Sequence, residues 1–326
     1  MYLEAEKFSL WADFIERDFI KSKMQTMIND GIINGATSNP AIFKSAFLTS
    51  PAYKDDIQAL KGKKTAKEIY ETLAIEDIQQ AADVLRPLFD KGDDGFVSIE
   101  VDPNLANDAK ATIDEGVRLH KSIGRPNVMI KVPATTAGYE AMEALVAKGI
   151  SVNATLIFSL QEALSCAKAF EKGQAQTTAD PKSVISVFVS RVDRLLDGKL
   201  SSELQGKAGI YNAAAIYNEV EKMQVKNNRT LFASTGVKGD AYIPSYYIDE
   251  LLAANSVNTA PIDTIDAFVN NGVKTVALPI DKATIDTFFT SIKSEGIDLD
   301  AALAQLKDEG LVAFEEAFEE IMQSLV

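Results

Sequence analysis

Residues Asn127–Pro133 read NVMIKVP, a β-rich run that stops at proline and gives way to the helical spacing of the following residues. Seven other runs have the same character: Ser9–Asp13, Gly35–Asn39, Gly95–Val101, Ile150–Phe158, Ser183–Val189, Arg229–Thr235 and Ser256–Ala260. Between them lie stretches with apolar residues at helical spacing, such as Ile78, Ala81, Ala82 and Leu85, then Ala109, Ile113 and Val117, then Ile216, Val220 and Met223. Strands that alternate with helices predict parallel βαβ units, and eight of them predict an α/β fold, a single (β/α)8 barrel of the TIM type. A doubly wound open sheet is the competitor, but no GxGxxG follows a strand and KGKKT at Lys61–Thr65 does not fit the P-loop pattern. No linker, repeat or low-complexity tract interrupts the chain, so residues 1–326 are expected to form one barrel domain with extra C-terminal helices over about 296–326. From Leu299 onward the pattern predicts a helix pair in which Leu311, Phe314, Phe318, Ile321 and Leu325 make one apolar stripe.

Composition narrows the chemistry. Of 326 residues, 46% are hydrophobic and 25% charged, which is ordinary for a globular enzyme with a large core. Acidic residues outnumber basic ones 47 to 33, and a net charge of −14 repels nucleic-acid backbones and anionic membrane surfaces. The single cysteine, Cys166, excludes an internal disulfide and any cysteine-built zinc or iron–sulfur centre; within LSCAKAF it reads as a small apolar core residue. The single histidine, His120 in GVRLHKSIG, reads as the solvated end of a helix before a glycine stop. Chemistry in this chain therefore runs on carboxylates, hydroxyls, amides and lysine. The charged start MYLEAEKFSLWADF has no signal-peptide core, and no apolar run reaches the roughly 18 residues of a membrane span. A cytoplasmic protein without nucleic-acid or membrane partners is the expectation.

Strand residues two apart share a face, and barrel interiors are normally Val, Ile and Leu. Here the C-terminal halves of several strands break that rule. Thr37 and Asn39 share a face, as do Ser98, Glu100 and Asp102, Met129 and Lys131, Asn153 and Thr155, and Ser186 and Phe188. Barrel active sites occupy this level. Lys131 carries the most information because Val128, Met129, Ile130, Val132 and Pro133 surround it in sequence. A free lysine is neutral only about 0.04% of the time at neutral pH, and apolar surroundings favour the neutral amine that attacks carbonyl groups. The plainer reading is a lysine that snorkels or pairs with Glu100. Glu100 and Asp13 are the candidate proton carriers, although Glu100 also reads as a salt-bridge partner and Asp13 as a helix cap. Thr155 either holds a water with Glu100 or fills a barrel layer. Arg191, beyond the sixth strand, and Lys238, after STG of the seventh, are candidate phosphate ligands. Each has a simpler alternative: Arg191 paired with Asp193 or Asp197, and Lys238 with Asp240.

GATSNPAIF at Gly35–Phe43 and VMIKVPATTAGYEA at Val128–Ala141 resemble the two signature stretches of transaldolases. VSIEVD, SVNATLIFS, ISVFVSRVDRLLD and LFASTGVK follow in the family's order, from Ser9 to at least Ala260, and the chain is similar to the longer bacterial subgroup. The resemblance implies a pentose phosphate enzyme that needs no metal or organic cofactor. It implies transfer of a dihydroxyacetone unit from sedoheptulose 7-phosphate to glyceraldehyde 3-phosphate, giving erythrose 4-phosphate and fructose 6-phosphate. On that reading Lys131 forms the Schiff base, Glu100 and Thr155 hold the catalytic water, and Asp13 accepts the hydroxyl proton. Thr37 belongs to the substrate site, Asn39 and Asn153 bind sugar hydroxyls, and Ser186 with Arg191 binds phosphate. Lys238 lies where many relatives place an arginine. Phe188 stands where fructose 6-phosphate aldolases carry tyrosine, which favours transfer. Simple cleavage on the same scaffold and a catalytically idle sugar-phosphate-binding barrel are the alternatives, and both monomer and homodimer stay open.

Overall fold

The computed structural model describes residues 1–326. Eight parallel strands close into a barrel in sequence order: β1 (Ser9–Ala12), β2 (Gly35–Thr37), β3 (Phe96–Glu100), β4 (Val128–Pro133), β5 (Val152–Ile157), β6 (Ser183–Phe188), β7 (Asn228–Ala233) and β8 (Ser256–Ala260). Closure is made by β1 on β8, with Ser9 level with Val257 and Ala12 level with Ala260. The expected (β/α)8 architecture is the one found. Every predicted run holds a strand, though most are shorter than read. The first stops at Ala12, the second at Thr37 and the third at Glu100, because the next residues leave the ladder to start loops and caps. Asn39 is the cap of the helix Pro40–Thr49, and Asp102 caps a short turn at Pro103–Leu105.

The helices start where side chains can satisfy free N–H groups. Thr65 and Glu68 form a capping box on Ala66–Asp90, and Ser159 and Glu162 form another on Leu160–Gln174. Ile78, Ala81, Ala82 and Leu85 are all buried, as their spacing predicts. In Ala109–Ile123 the buried face is instead Thr112, Gly116, Leu119 and Ile123, with Ile113 and Val117 only half-buried. His120 lies in the last turn of that helix, half-buried, and burial holds its pKa below the ordinary value. Cys166 is fully buried in the core. No helix is long and apolar enough to cross a membrane.

The C-terminal region corrects one expectation. The residues from Leu299 form a single helix of 26 residues, Leu299–Ser324, rather than a pair. Gly310 lies inside it, close against the barrel: a Cβ there would lie 3.0 Å from Leu156 Cδ2. Phe314, Phe318, Ile321 and Leu325 are buried and Leu311 half-buried, so the stripe packs on the barrel, with Phe318 set edge-on to Tyr70 at 5.2 Å.

Inside the ring the N-terminal half is apolar. Trp11, Phe96, Met129, Val184, Leu231 and Val257 come from six strands and pack into one cluster. Below them Arg229 donates to both oxygens of Asp94, at 2.7 and 2.8 Å, and Trp11 Nε1 donates to the same carboxylate at 3.1 Å. The Trp11 ring occupies the space beside Gly35, where a Cβ would lie 2.5 Å from the indole. Gly35→Ala is therefore expected to destabilise the fold by about 1–3 kcal/mol through overpacking. Urea unfolding measures this, and unchanged stability would show that the indole can move aside.

Candidate active site

Parallel register sets the site. Glu100 of β3 is level with Lys131 of β4, and Lys131 is level with Asn153 of β5. Three polar side chains thus meet on neighbouring strands. Glu100 ends β3 and Lys131 lies in the second half of β4, toward the face where barrel enzymes work, while Asn153 lies near the start of β5. Lys131 Nζ lies 3.6 Å from Glu100 Oε2 and donates to the Ser38 carbonyl at 3.1 Å. The two side chains are only 6% and 4% exposed, so their interaction is scarcely screened by water. Burial pushes the Glu100 carboxyl up to about 7, against the opposing pull of Lys131 and with a small push from Asp13. Such a group is poised to give and take a proton near neutrality. Glu100 Oε2 and Thr155 Oγ1 are both buried without a hydrogen-bond partner among the side chains and backbone around them.

A cavity of about 130 Å³ opens at this end of the barrel. Asp13, Thr37, Asn39, Lys131, Ser186, Phe188 and Arg191 line it. Asp13 follows β1 directly and its N–H continues the ladder to Ala260. The helix cap that Asp13 could have supplied comes from Glu16, which accepts from the N–H groups of Asp18 and Phe19. Asp13 Oδ1 instead accepts from Thr37 Oγ1 at 2.7 Å, and that hydroxyl also meets Thr259 Oγ1 at 2.7 Å. Asn39 spends its Oδ1 on the Ile42 N–H while lining the cavity.

Asn153 is fully buried behind the lining. It accepts from Ser186 Oγ at 2.6 Å and donates to Ser98 Oγ at 3.1 Å, so it braces Ser186 and leaves one N–H uncommitted. Arg191 leans on the rim, its guanidinium carbon 5.2 Å from the centre of the Phe188 ring. Its carboxylate neighbours are engaged elsewhere: Asp193 accepts from the Gly209 N–H, and Asp197 from the Gly206 N–H and the Tyr242 hydroxyl. Burial, with repulsion from Arg194, lowers the Arg191 pKa from its ordinary value. An unpaired, half-buried guanidinium at a cavity rim is suited to an anionic ligand.

Lys238 is not brought to this group. It stands exposed on the segment after β7, and the cavity wall there is made by Ala233 and Ser234. Asp102 also lies apart, its carboxylate 2.6 Å from Lys67, because β3 ends before it. Three contributors were missed in the sequence. Thr259 could have been found from its spacing to Val257 on β8. Ser38 acts through its carbonyl, which side-chain patterns do not show. Phe314 comes from the C-terminal helix, where it looked like one more member of an apolar stripe. A larger cavity of about 740 Å³, lined by Trp11, Phe96, Met129 and Arg229, opens at the opposite end of the barrel. Its charged side chains, Lys7, Lys182, Asp94, Glu221 and Arg229, include neither Lys131 nor Glu100. No cluster of three His, Cys, Asp or Glu side chains is placed to hold a metal ion.

Similarity to known proteins agrees with this geometry. A family profile described as Transaldolase/Fructose-6-phosphate aldolase matches residues 10–325. The chain is 49% identical to a transaldolase of Campylobacter jejuni subsp. jejuni serotype O:23/36, covering 98% of this chain and all of the relative. It is 45% identical to a transaldolase of Helicobacter pylori strain P12, covering 98% of this chain and 99% of the relative. With a closed eight-stranded barrel, a buried lysine beside a carboxylate and matches that run nearly end to end, the chain belongs to the transaldolase/fructose-6-phosphate aldolase family.

Proposed function

We propose that this enzyme is a cytoplasmic transaldolase that moves a dihydroxyacetone unit through a Schiff base on Lys131, with sedoheptulose 7-phosphate as donor and glyceraldehyde 3-phosphate as acceptor. The observation that carries the reading is the buried Lys131–Glu100 pair at 3.6 Å beneath a cavity with a free guanidinium at its rim. The Lys131 amine attacks the donor ketone to give a carbinolamine. Glu100, near its half-protonated point, takes the amine proton and returns one to the departing hydroxyl. Its unpartnered Oε2 and the Thr155 Oγ1 are the groups that would hold the intervening water. The resulting iminium is the electron sink. Asp13, held by Thr37, takes the proton from the hydroxyl on carbon four, the adjacent carbon–carbon bond breaks, and an enamine stays on Lys131.

The aldehyde leaves and an acceptor aldehyde enters, and the same groups act in reverse. Asn39 and Ser186 supply hydroxyl contacts, and Arg191 receives the phosphate. Asn153 acts through Ser186 and its remaining N–H. Lys238, exposed and outside the cavity, contributes general positive charge near the rim but no direct contact in this arrangement. Phe188 keeps that wall free of hydroxyls, which supports transfer over cleavage. Domain organisation follows the same picture, one barrel from residue 1 to 326 with the C-terminal helical part as its extension.

Lys131→Ala is expected to abolish activity and keep the fold, since the Glu100 left behind can take up a proton and need not stay charged in the interior. Borohydride with fructose 6-phosphate should attach a three-carbon unit to Lys131 in the unmodified enzyme; a label on another lysine removes the assignment. Loss of the Glu100 proton withdraws the acid for dehydration, so kcat should fall as pH rises through about 7. Glu100→Gln should lose this inflection and cut kcat by on the order of 10²- to 10⁴-fold; an unchanged profile would assign the titration elsewhere. Arg191→Ala should raise KM for phosphorylated sugars at least about tenfold, the loss of one charge-assisted contact, with the circular dichroism spectrum unchanged. A wild-type KM would take Arg191 out of the phosphate site.

A further inference from the structure

The helix Leu299–Ser324 places Lys307, Gly310 and Phe314 on one face, at spacings of three and four residues. That face meets the strand ends of the site. Lys307 Nζ donates to the Ala134 carbonyl at 2.5 Å and the Leu156 carbonyl at 2.7 Å, and lies 3.1 Å from Glu162 Oε1. Ala134 directly follows β4, which carries Lys131, and Leu156 follows Thr155 on β5. The Leu156 carbonyl is available because the register of β5 on β6 shifts between Ala154 and Ile157, with Leu156 at φ 55°. One buried ammonium therefore closes a bulge and fixes the helix to two catalytic strands. Three residues on, Gly310 lets the helix approach Leu156 and Arg191, where a Cβ would lie 3.0 Å from Leu156 Cδ2 and 3.6 Å from Arg191 Nη1. One turn further, Phe314 is 4% exposed, lines the cavity and sets its ring centre 6.0 Å from Lys131 Nζ.

We propose that Phe314 shields the Lys131-bound enamine from water, favouring transfer over release, and that Lys307 is the positioning residue that sets the depth of this shield. The inference rests on the Schiff-base reading of Lys131. The competing reaction consumes one water. Its oxygen becomes the ketone oxygen of released dihydroxyacetone, one of its hydrogens goes to the enamine carbon and the other to the amine nitrogen, and the carbon–nitrogen bond breaks. Hydrolysis of the product iminium already uses the water at Glu100 and Thr155, so the step that separates release from transfer is protonation of the enamine carbon. An apolar ring lining the cavity beside the amine keeps a proton-donating water off that carbon. The second apolar wall of the same pocket is Phe188, whose ring is tilted against Phe158 at 5.3 Å, so a carbon chain on Lys131 would have an apolar ring on two sides.

The test is the ratio of dihydroxyacetone released from fructose 6-phosphate without acceptor to transfer with glyceraldehyde 3-phosphate. Phe314→Ala should raise this ratio at least about tenfold, equivalent to about 1.4 kcal/mol between competing barriers, while borohydride still labels Lys131. Phe314→Leu, which keeps most of the apolar bulk, should stay near the wild-type ratio. Lys307→Met should raise the ratio as Phe314→Ala does, and Lys307→Arg should restore it. If Phe314→Ala does not fold, Phe314→Val carries the same expectation. An unchanged ratio in a labelled Phe314→Ala or Phe314→Val enzyme overturns the shield, and an unchanged ratio in Lys307→Met removes Lys307 from the proposal. Absence of label at Lys131 in the wild type is a different result: it overturns the Schiff-base reading, and the shield with it.

Discussion

An ammonium and a carboxylate lie 3.6 Å apart inside a ring of strands, each almost wholly removed from water. Burying either group alone would cost several kcal/mol, and burying them together leaves the carboxylate only partly compensated. The outcome is visible in Glu100, whose pKa is pushed up to about 7 despite the neighbouring cation. Everything around the pair serves to hold it there. Strand register makes the two residues level, Ser38 offers a carbonyl to the amine, and the apolar cluster beneath closes the lumen against water from the other end.

The barrel divides its interior by depth. Large apolar side chains fill the N-terminal half, and an Arg229–Asp94 pair with Trp11 braces the floor. Hydroxyls, amides and charges fill the C-terminal half, linked in short chains such as Asp13–Thr37–Thr259 and Ser98–Asn153–Ser186. These chains fix rotamers without bringing in more charge. Arg191 has no carboxylate partner at the rim, where an anion approaching a net-negative protein meets a local attraction. The larger cavity at the floor has volume but lacks this chemistry, so size is a poor guide to the working end.

Much of this could be read from the chain because a strand alternates strictly. Polar residues at Thr37, Glu100, Lys131, Asn153 and Ser186 break an apolar rule on five successive strands, and closure of the barrel brings them into one lumen. Where alternation ends, the reading fails. Asp102 keeps the parity of Glu100, but the strand has already stopped, so its side chain caps a turn and meets Lys67. Lys238 follows a strand end by several residues, beyond any periodic constraint, and projects into solvent. Phe314 was legible as buried but not as part of the site, because nothing local states which surface a terminal helix will cover. The expected helix pair after Leu299 is one helix, Leu299–Ser324, whose buried face is continuous along the barrel.

The seam between β1 and β8 has a temporal consequence. Asp13 is hydrogen-bonded through its backbone to Ala260, which is made far later in the same chain. Contacts so distant along the chain form slowly and late. While the barrel is unfinished, Lys131 is open to water, where a lysine side chain is almost entirely protonated. β8 closes the ring and the later helix Leu299–Ser324 covers it, so the dry surroundings of Lys131 exist only once both are in place.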